Sequence, residues 1–249
     1  MLRARPIHFT SRQQEWEKLL AALGMVKTED RGDSLEYDAG SGRLALRRVA
    51  PGSPQDGRTE FGVEVGDPEE FARRTNEAAA AEGDAGTQLT RAETAAADGT
   101  ASCRITGHDG FTFQADKAED LAAGTGADPA LAVVAVWFSS DATAAAATLR
   151  HIGGRPRPVP DNDNTADFTT KNGGVLIARV SDGPSHSGLG FEYAGDLETL
   201  RDRLTAAGYQ TRITEEAFGR TLHVPNPDEG GPSLYQPGLW VAGRQPADS

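Results

Sequence analysis

Asn226-Pro227-Asp228-Glu229-Gly230-Gly231-Pro232-Ser233-Leu234-Tyr235-Gln236 reads as a tight turn feeding a final strand. Proline fixes φ, Asn, Asp and Gly tolerate positive φ, and Leu234 with Tyr235 suits a half-buried strand. A stretch of the same form stands earlier, Thr106-Gly107-His108-Asp109-Gly110-Phe111-Thr112-Phe113-Gln114. The recurrence points to a duplicated unit, whose other parts should then recur upstream of each turn.

They do. Arg3 to Thr10 has strand character with Ile7 and Phe9 on one face, and Thr10 or Ser11 is a plausible N-cap. Trp16, Leu19, Leu20 and Leu23 fall at i, i+3, i+4 and i+7, which predicts a helix with one apolar stripe, and Gly24 supplies a left-handed C-cap. Short strands follow near 25–29, 34–38 and 43–49, giving the order βαβββ. Thr59 to Val65 then reads as a strand, and Asp67-Pro68 as a cap and first helical residue. That helix should end near Gly83, before strands near 87–91, 101–105 and 111–115, with 92–100 an Ala-rich loop. Residues 119–129, rich in Gly, Ala and Asp, read as a linker. The pattern restarts at Leu131 to Phe138, with a helix to Gly153, strands near 167–170 and 175–180, and 156–164 as a loop. Leu189 to Tyr193 leads to the cap Asp196 and a helix whose Leu197, Leu200 and Leu204 share one face. Strands near 210–214 and 220–224 then reach the opening stretch.

Composition narrows the function classes. The chain has 249 residues, 37 acidic against 25 basic, and a net charge of −12. A surface that neutralises phosphates needs clustered Lys and Arg, so neither nucleic acid nor membrane is an expected partner. A single cysteine, Cys103, cannot form an intramolecular disulfide, and its strand setting reads as structural; no Cys/His cluster has zinc spacing. With no secretory signal in Met1 to Pro6 and no transmembrane span, a cytoplasmic location is expected. Ser185-His186-Ser187 is not a triad, because neighbours on a strand face opposite sides. Glu69-Glu70 and Glu215-Glu216 read as solvated surface, and His108, His151 and His223 as solvent-exposed.

Four βαβββ units in two tandem halves resemble the vicinal oxygen chelate superfamily of glyoxalase I, extradiol dioxygenases and bleomycin- and fosfomycin-resistance proteins. The residues that carry the resemblance are His8-Phe9-Thr10-Ser11 leading to Leu23-Gly24, the paired segments Gly62-Val63-Glu64-Val65-Gly66-Asp67 and Gly190-Phe191-Glu192-Tyr193-Ala194-Gly195-Asp196, and the two turns. It implies an α+β fold, four βαβββ units paired into two glyoxalase-like domains with curved mixed sheets, at 1–118 and 130–244. Metal-using members draw ligands from the first, fifth and eighth strands of a domain, two His and a Glu. Counting from the caps puts Ala4, Glu60 and Gln114 at these positions in the first domain and Val134, Gly188 and Ser233 in the second. Ala4, Val134 and Gly188 offer no donor. A site of His8, Glu60 and Gln114 would require a register slip along the first strand, where His8 lies two pairs of residues from Ala4 and hence on the same face.

No catalytic residue, metal or cofactor is therefore expected. The sequence supports a metal-independent binding protein for a small, partly apolar or aromatic ligand, walled by Val134, Val136, Phe138, Ser233 and Tyr235 in one domain and oriented by His8, Glu60 and Gln114 in the other. The competing reading is a metal-dependent lyase or dioxygenase with a non-standard site in the first domain. Homodimerisation is left open, since a tandem chain can complete internally the pairing that single-domain relatives obtain by dimerising.

Overall fold

The computed structural model describes residues 1–82, 91–97, 100–120, 124–158, 164–216, 219–229 and 239–244. Four βαβββ units follow one another. The first is β1 (Leu2–Ala4) and β2 (Ile7–Thr10), α1 (Gln13–Leu23), β3 (Val26–Asp30), β4 (Ser34–Asp38) and β5 (Arg43–Arg48). The second is β6 (Thr59–Glu60) and β7 (Gly62–Val65), α2 (Pro68–Glu82), β8 (Arg91–Ala97), β9 (Thr100–Thr106) and β10 (Thr112–Lys117). The third is β11 (Leu131–Ser139), α3 (Ala142–His151), β12 (Arg155–Arg157), β13 (Thr165–Thr169) and β14 (Val175–Val180). The fourth is β15 (His186–Tyr193), α4 (Leu197–Ala206), β16 (Arg212–Glu216), β17 (Gly219–Val224), a 3-10 turn at Pro227–Glu229, and β18 (Leu239–Gly243).

The α+β class and the four-unit order are as the sequence predicts, with local differences. The first strand is two strands, broken at Arg5-Pro6, where proline has no N–H to offer a ladder. The Ala-rich 92–100 segment is largely β8, because cross-strand bonding to β9 (Ala92↔Ile105, Thr94↔Cys103) outweighs weak intrinsic preference. β12 completes the third unit inside a predicted loop, pairing Arg155↔Thr169. The last strand is β18, a few residues beyond Leu234-Tyr235, which lie outside the described residues.

Packing gathers the chain into two compact units, Met1–Pro6 with Glu60–Ala122 and Ala135–Gly188, and Ile7–Thr59 with Ala123–Val134 and Leu189–Ser249. This grouping differs from the sequential expectation of 1–118 and 130–244, because each apolar core forms where helices pack. In the first unit β1-β7-β10-β9-β8 make one sheet and β12-β13-β14-β11 neighbour one another. Its core joins Val63, Val65, Cys103, Ile105, Phe113 and Trp137 to Ala72 of α2 and Ala145, Ala146 and Leu149 of α3. In the second unit the orders are β3-β4-β5-β2-β6 and β15-β18-β17-β16. There Trp16, Leu19, Leu20 and Leu23 of α1 meet Leu197, Leu200 and Leu204 of α4 over Leu44, Leu46, Phe191 and Val241. Each such leucine, fully buried, contributes roughly 1.5–3 kcal/mol.

The helix ends follow local chemistry. Gly24 closes α1 at φ 94, and Asp141 and Asp196 cap α3 and α4 by accepting from Ala144 N and Thr199 N. Neither Thr10 nor Ser11 caps α1. The N-cap is Arg12, without a side-chain bond, and the Thr10 hydroxyl instead accepts from Arg12 N at 2.8 Å.

Candidate functional site

Strands place alternate residues on opposite faces, so the core defines the other face too. In the first unit Leu2, Ala4, Val63, Val65, Cys103, Ile105, Phe113 and Ala115 point to the helices. Arg3, Glu64, Arg104, Gln114 and Asp116 therefore share the reverse face, in cross-strand register Arg3↔Glu64, Glu64↔Asp116 and Gln114↔Arg104. They form a charged network. Arg3 Nε donates to Glu64 Oε2 at 2.7 Å, and Arg3 Nη2 to the Asp120 carbonyl at 2.7 Å. Arg5 Nε lies 3.3 Å from Glu64 Oε1, and Arg5 Nη1 donates to Asp116 Oδ2 at 2.7 Å. The Arg3, Glu64 and Arg5 side chains are 2, 6 and 8% exposed, Asp116 30%. A buried charge is tolerable only when paired and hydrogen-bonded, and each partner here meets that condition. The second unit repeats the device: Arg43 grips Asp38 through Nε–Oδ1 at 2.5 Å and Nη2–Oδ2 at 3.1 Å, and Arg47 holds Glu36 at 2.9 Å.

Also in the first unit, Phe138 and His186 stack with centroids 4.6 Å apart and planes 11° apart. Gly188 makes this arrangement fit: a Cβ there would stand 2.8 Å from the Phe138 ring. His186 is exposed and Phe138 half-buried, so an aromatic surface faces outward. Nearby in sequence, Asp109 accepts from Ser139 Oγ at 3.1 Å and from Ser185 Oγ. Burial acts to raise the Asp109 pKa, and the bonds from Ser185, Phe111 N and Ser139 outweigh it, leaving the carboxyl below its usual range.

In the second unit His8 stands on the helix-facing side, paired across the sheet with the core residue Leu46. Its ring lies 4.3 Å from that of Trp16. Nδ1 is 2.9 Å from Thr59 Oγ1 and Nε2 is 2.7 Å from Asp228 Oδ2. Asp228 also accepts from Trp16 Nε1 at 2.8 Å and from the Thr10 hydroxyl. Burial raises the Asp228 pKa, and the bonds from His8, Thr10 and Trp16 overcome it and hold the carboxylate low. The order Thr59, His8, Asp228 has the form of a hydroxyl–imidazole–carboxylate relay, but His8 is 2% exposed and Trp16 fully buried. Its evident role is to clasp the 227–229 turn to β2 and α1. On the opposite side of this unit, the Trp240 indole lies over Gly190, where a Cβ would come within 2.2 Å of it.

The predicted site residues thus separate. Glu60 and Gln114 are exposed and belong to the unit of Arg3, Arg5 and Glu64; His8 belongs to the other unit and is committed to the clasp. Counting back from Ser11 reached Ala4 and His8, the even-numbered, helix-facing side. A slip of one residue reverses the face of a whole strand, and the side away from the helices carries Arg3 and Arg5. Val134 and Val136 are buried, Phe138 stacks on His186, and Ser233 and Tyr235 lie outside the described residues. Trp240 was missed, although Leu239-Trp240-Val241 after Pro237-Gly238 carries a strand signal. The histidines expected in solvent are engaged instead. His108 is half-buried, with both ring nitrogens shielded from solvent. His151 Nε2 lies 2.9 Å from Glu82 Oε2, and His223 Nε2 lies 2.8 Å from Thr214 Oγ1.

No family model and no curated protein sequence matches this chain. Solved structures do. A variant of homoprotocatechuate 2,3-dioxygenase from B. fuscum superposes with a TM-score of 0.60 at 11% identity, over 97% of this chain and 69% of that one. The Mn(II)-bound glyoxalase from Novosphingobium aromaticivorans gives 0.57 at 12%, over 97% and 80%. The 2,3-dioxygenase LapB from Pseudomonas sp. KL28 gives 0.57 at 12%, over 97% and 90%.

The fold is that of the vicinal oxygen chelate superfamily.

Within that fold, an ion drawn from the first, fifth and eighth strands needs several N or O donors converging at about 2.0–2.2 Å. In the first unit the first strand offers guanidinium groups instead, and these already hold Glu64 and Asp116. Among the described residues no three His, Cys, Asp or Glu side chains cluster as a metal site would require. The described residues of this set do not fit a divalent ion. No helix among the described residues is long and apolar enough to cross a membrane.

Proposed function

We propose that this vicinal oxygen chelate-type chain is a metal-independent small-molecule-binding protein of the glyoxalase and bleomycin-resistance type. It holds a partly apolar or aromatic ligand, for sequestration or metabolite binding. The observation that carries the reading is the ion-paired set Arg3, Arg5, Glu64 and Asp116 on strands β1, β7 and β10. Fixed guanidinium charge there balances the carboxylates that an ion would otherwise need. The Phe138–His186 stack adds a surface for an aromatic ring, whose offset stacking is worth about 0.5–1.5 kcal/mol beyond area burial. The ligand is the one partner this reading requires, and the free, buried Cys103 is in keeping with a reducing, cytoplasmic setting.

The test is elemental analysis of protein purified without chelator, joined to a thermal-shift screen of small aromatics and divalent ions on the parent, Phe138→Ala and Glu60→Ala. The expected result is no stoichiometric metal, no response to divalent ions, and ligand stabilisation that Phe138→Ala removes. Binding raises Tm in proportion to RT ln(1 + [L]/Kd). Stoichiometric Fe, Mn, Ni or Zn that is lost in Glu60→Ala would overturn the proposal in favour of a metal-dependent lyase or dioxygenase.

A further inference from the structure

In the second unit Phe191, Val241 and Leu222 point into the core and Ile213 packs against it, so the alternate residues of β15, β18, β17 and β16 share the reverse face. They stand in two cross-strand rows. One runs Glu192, Ala242, Thr221, Thr214 and the next Trp240, His223, Arg212. The half-buried Trp240 leans across Gly190, whose missing side chain gives the indole its place, and Ala242 is the smallest side chain in either row. Two polar atoms beside it lack partners. Thr221 is 4% exposed, and its Oγ1 is buried with no hydrogen bond among the described residues. A hydroxyl so placed costs stability until something bonds it. His223 Nε2 lies 2.8 Å from Thr214 Oγ1, and the Thr214 hydroxyl gives its single proton to Glu216 Oε1 at 2.8 Å. Nε2 is then the protonated nitrogen, donating to Thr214, and Nδ1 of the neutral ring is left as an acceptor with no partner among the described residues.

We infer that this face binds a neutral, planar cyclic amide: the ring lies over Ala242 against the Trp240 indole, its N–H donates to His223 Nδ1, and its carbonyl accepts from the Thr221 hydroxyl. Complementarity carries the inference. An imidazole acceptor and a hydroxyl free to donate stand two residues apart on one strand, and the ligand edge that meets both has a donor beside an acceptor. The indole wall calls for a flat ring. The charged groups of the face, Glu192, Arg212 and Glu216, are of both signs, and Glu216 is committed to Thr214, so a neutral ring is favoured over an ion. The surface belongs to the second unit and goes beyond the Phe138–His186 surface of the first; either can bind without the other. Thr221 gives the sharpest consequence. Replacing its hydroxyl by a methyl group should stabilise the free protein and weaken the ligand, opposite signs that a threonine serving only to pack the sheet would not give.

The experiment is nuclear magnetic resonance titration of the full chain with uracil, its N,N′-dimethyl derivative and toluene, following the indole N–H signals of the three tryptophans. It is run on the parent, His223→Phe and Thr221→Val, with the unfolding temperature of each recorded; Trp240→Phe identifies the Trp240 signal by its loss. Uracil should move the Trp240 signal and leave those of the fully buried Trp16 and Trp137 in place. The dimethyl derivative keeps the ring and both carbonyls without an N–H, and it should bind several-fold more weakly, as should toluene. His223→Phe and Thr221→Val should each weaken uracil about fivefold, the effect of losing one neutral hydrogen bond. Thr221→Val should also raise the unfolding temperature of the unliganded protein. Equal binding of uracil and its dimethyl derivative, an unmoved Trp240 signal, or indifference of uracil to both substitutions would overturn the inference and leave the first-unit surface to its own test with Phe138→Ala. A lower unfolding temperature in Thr221→Val with unchanged uracil binding would overturn it as well. Should His223→Phe fail to fold, the probe comparison and Thr221→Val decide the matter.

Discussion

Removing the Asp228 carboxylate should cost this fold about 4 kcal/mol. The two carboxylate oxygens accept from three groups: His8 Nε2 and Trp16 Nε1 on Oδ2, and the Thr10 hydroxyl on Oδ1. His8, Thr10 and Trp16 are 2, 0 and 0% exposed, so water does not stand ready to replace the acceptor. A buried donor left unsatisfied costs about 1–3 kcal/mol, which for three gives roughly 3–9. Water entering the space left by Asp228→Ala brings the expectation to the lower half of that range. Asp228→Asn should cost only about 1–2 kcal/mol, because its carbonyl oxygen can still accept from His8 and Trp16 while its amide donates to the Thr10 hydroxyl. The assay is urea unfolding followed by tryptophan fluorescence, with the slope m unchanged for both variants. An Asp228→Ala cost below about 1 kcal/mol, or an Asp228→Asn cost equal to it, would refute the clasp.

The same group sets an acid limit. Its folded pKa lies below the ordinary 3.8, so its contribution is complete above that ordinary value and is lost as pH falls through the lower folded value. The stability gap between parent and Asp228→Asn should accordingly narrow as pH is lowered from about 5 to about 2.

Three further outcomes follow from particular contacts. Glu64→Gln removes the charge that Arg3 and Arg5 share and should destabilise by about 3–5 kcal/mol in urea, as expected for breaking a buried pair; parity with the parent would show the network to be dispensable. Cys103 is fully buried and its thiol is pushed up to about 11 by that burial. At pH 8 it should resist a thiol reagent until the first unit opens, and fast labelling of folded protein would contradict this placement. Gly190→Ala puts a methyl within 2.2–2.5 Å of the Trp240 ring. A loss of about 1–3 kcal/mol is expected, with a shift in tryptophan emission as the indole moves; an unchanged spectrum would mean that the ring does not lie there.

Much of this fold is local in origin and hence readable from sequence. The stripe Trp16, Leu19, Leu20, Leu23 repeats at the helical period, and all four side chains are buried. Gly24 has the left-handed φ its position demanded, and Asp196 caps α4 as its place before Leu197 foretold. The four βαβββ units emerge because each boundary is written in residues a few positions apart. Where strands carry no pattern of their own, as in Arg91–Ala97 or Arg155–Arg157, only pairing with a neighbour makes them strands, and the neighbour is supplied by the tertiary fold.

The site was less legible, for a reason of parity. Charge, composition and the absence of motifs limited the chemistry, and family resemblance named the strands to inspect. Which face of the first strand looks away from the helices depends on a one-residue register across Arg5-Pro6, and that register is set by Leu2↔Val65 and Ile7↔Ala45. Sequence order alone therefore chose Ala4 and His8, whereas packing turned those inward and brought out Arg3 and Arg5. Partners such as His8 with Asp228, separated by 220 positions, exist only because folding closes that loop. The sequence by itself determined the unit, its repetition and its helix ends, since these are nearest-neighbour effects. The tertiary structure alone decided which charges meet and which side chains turn away from the helices, since both follow from long-range strand pairing.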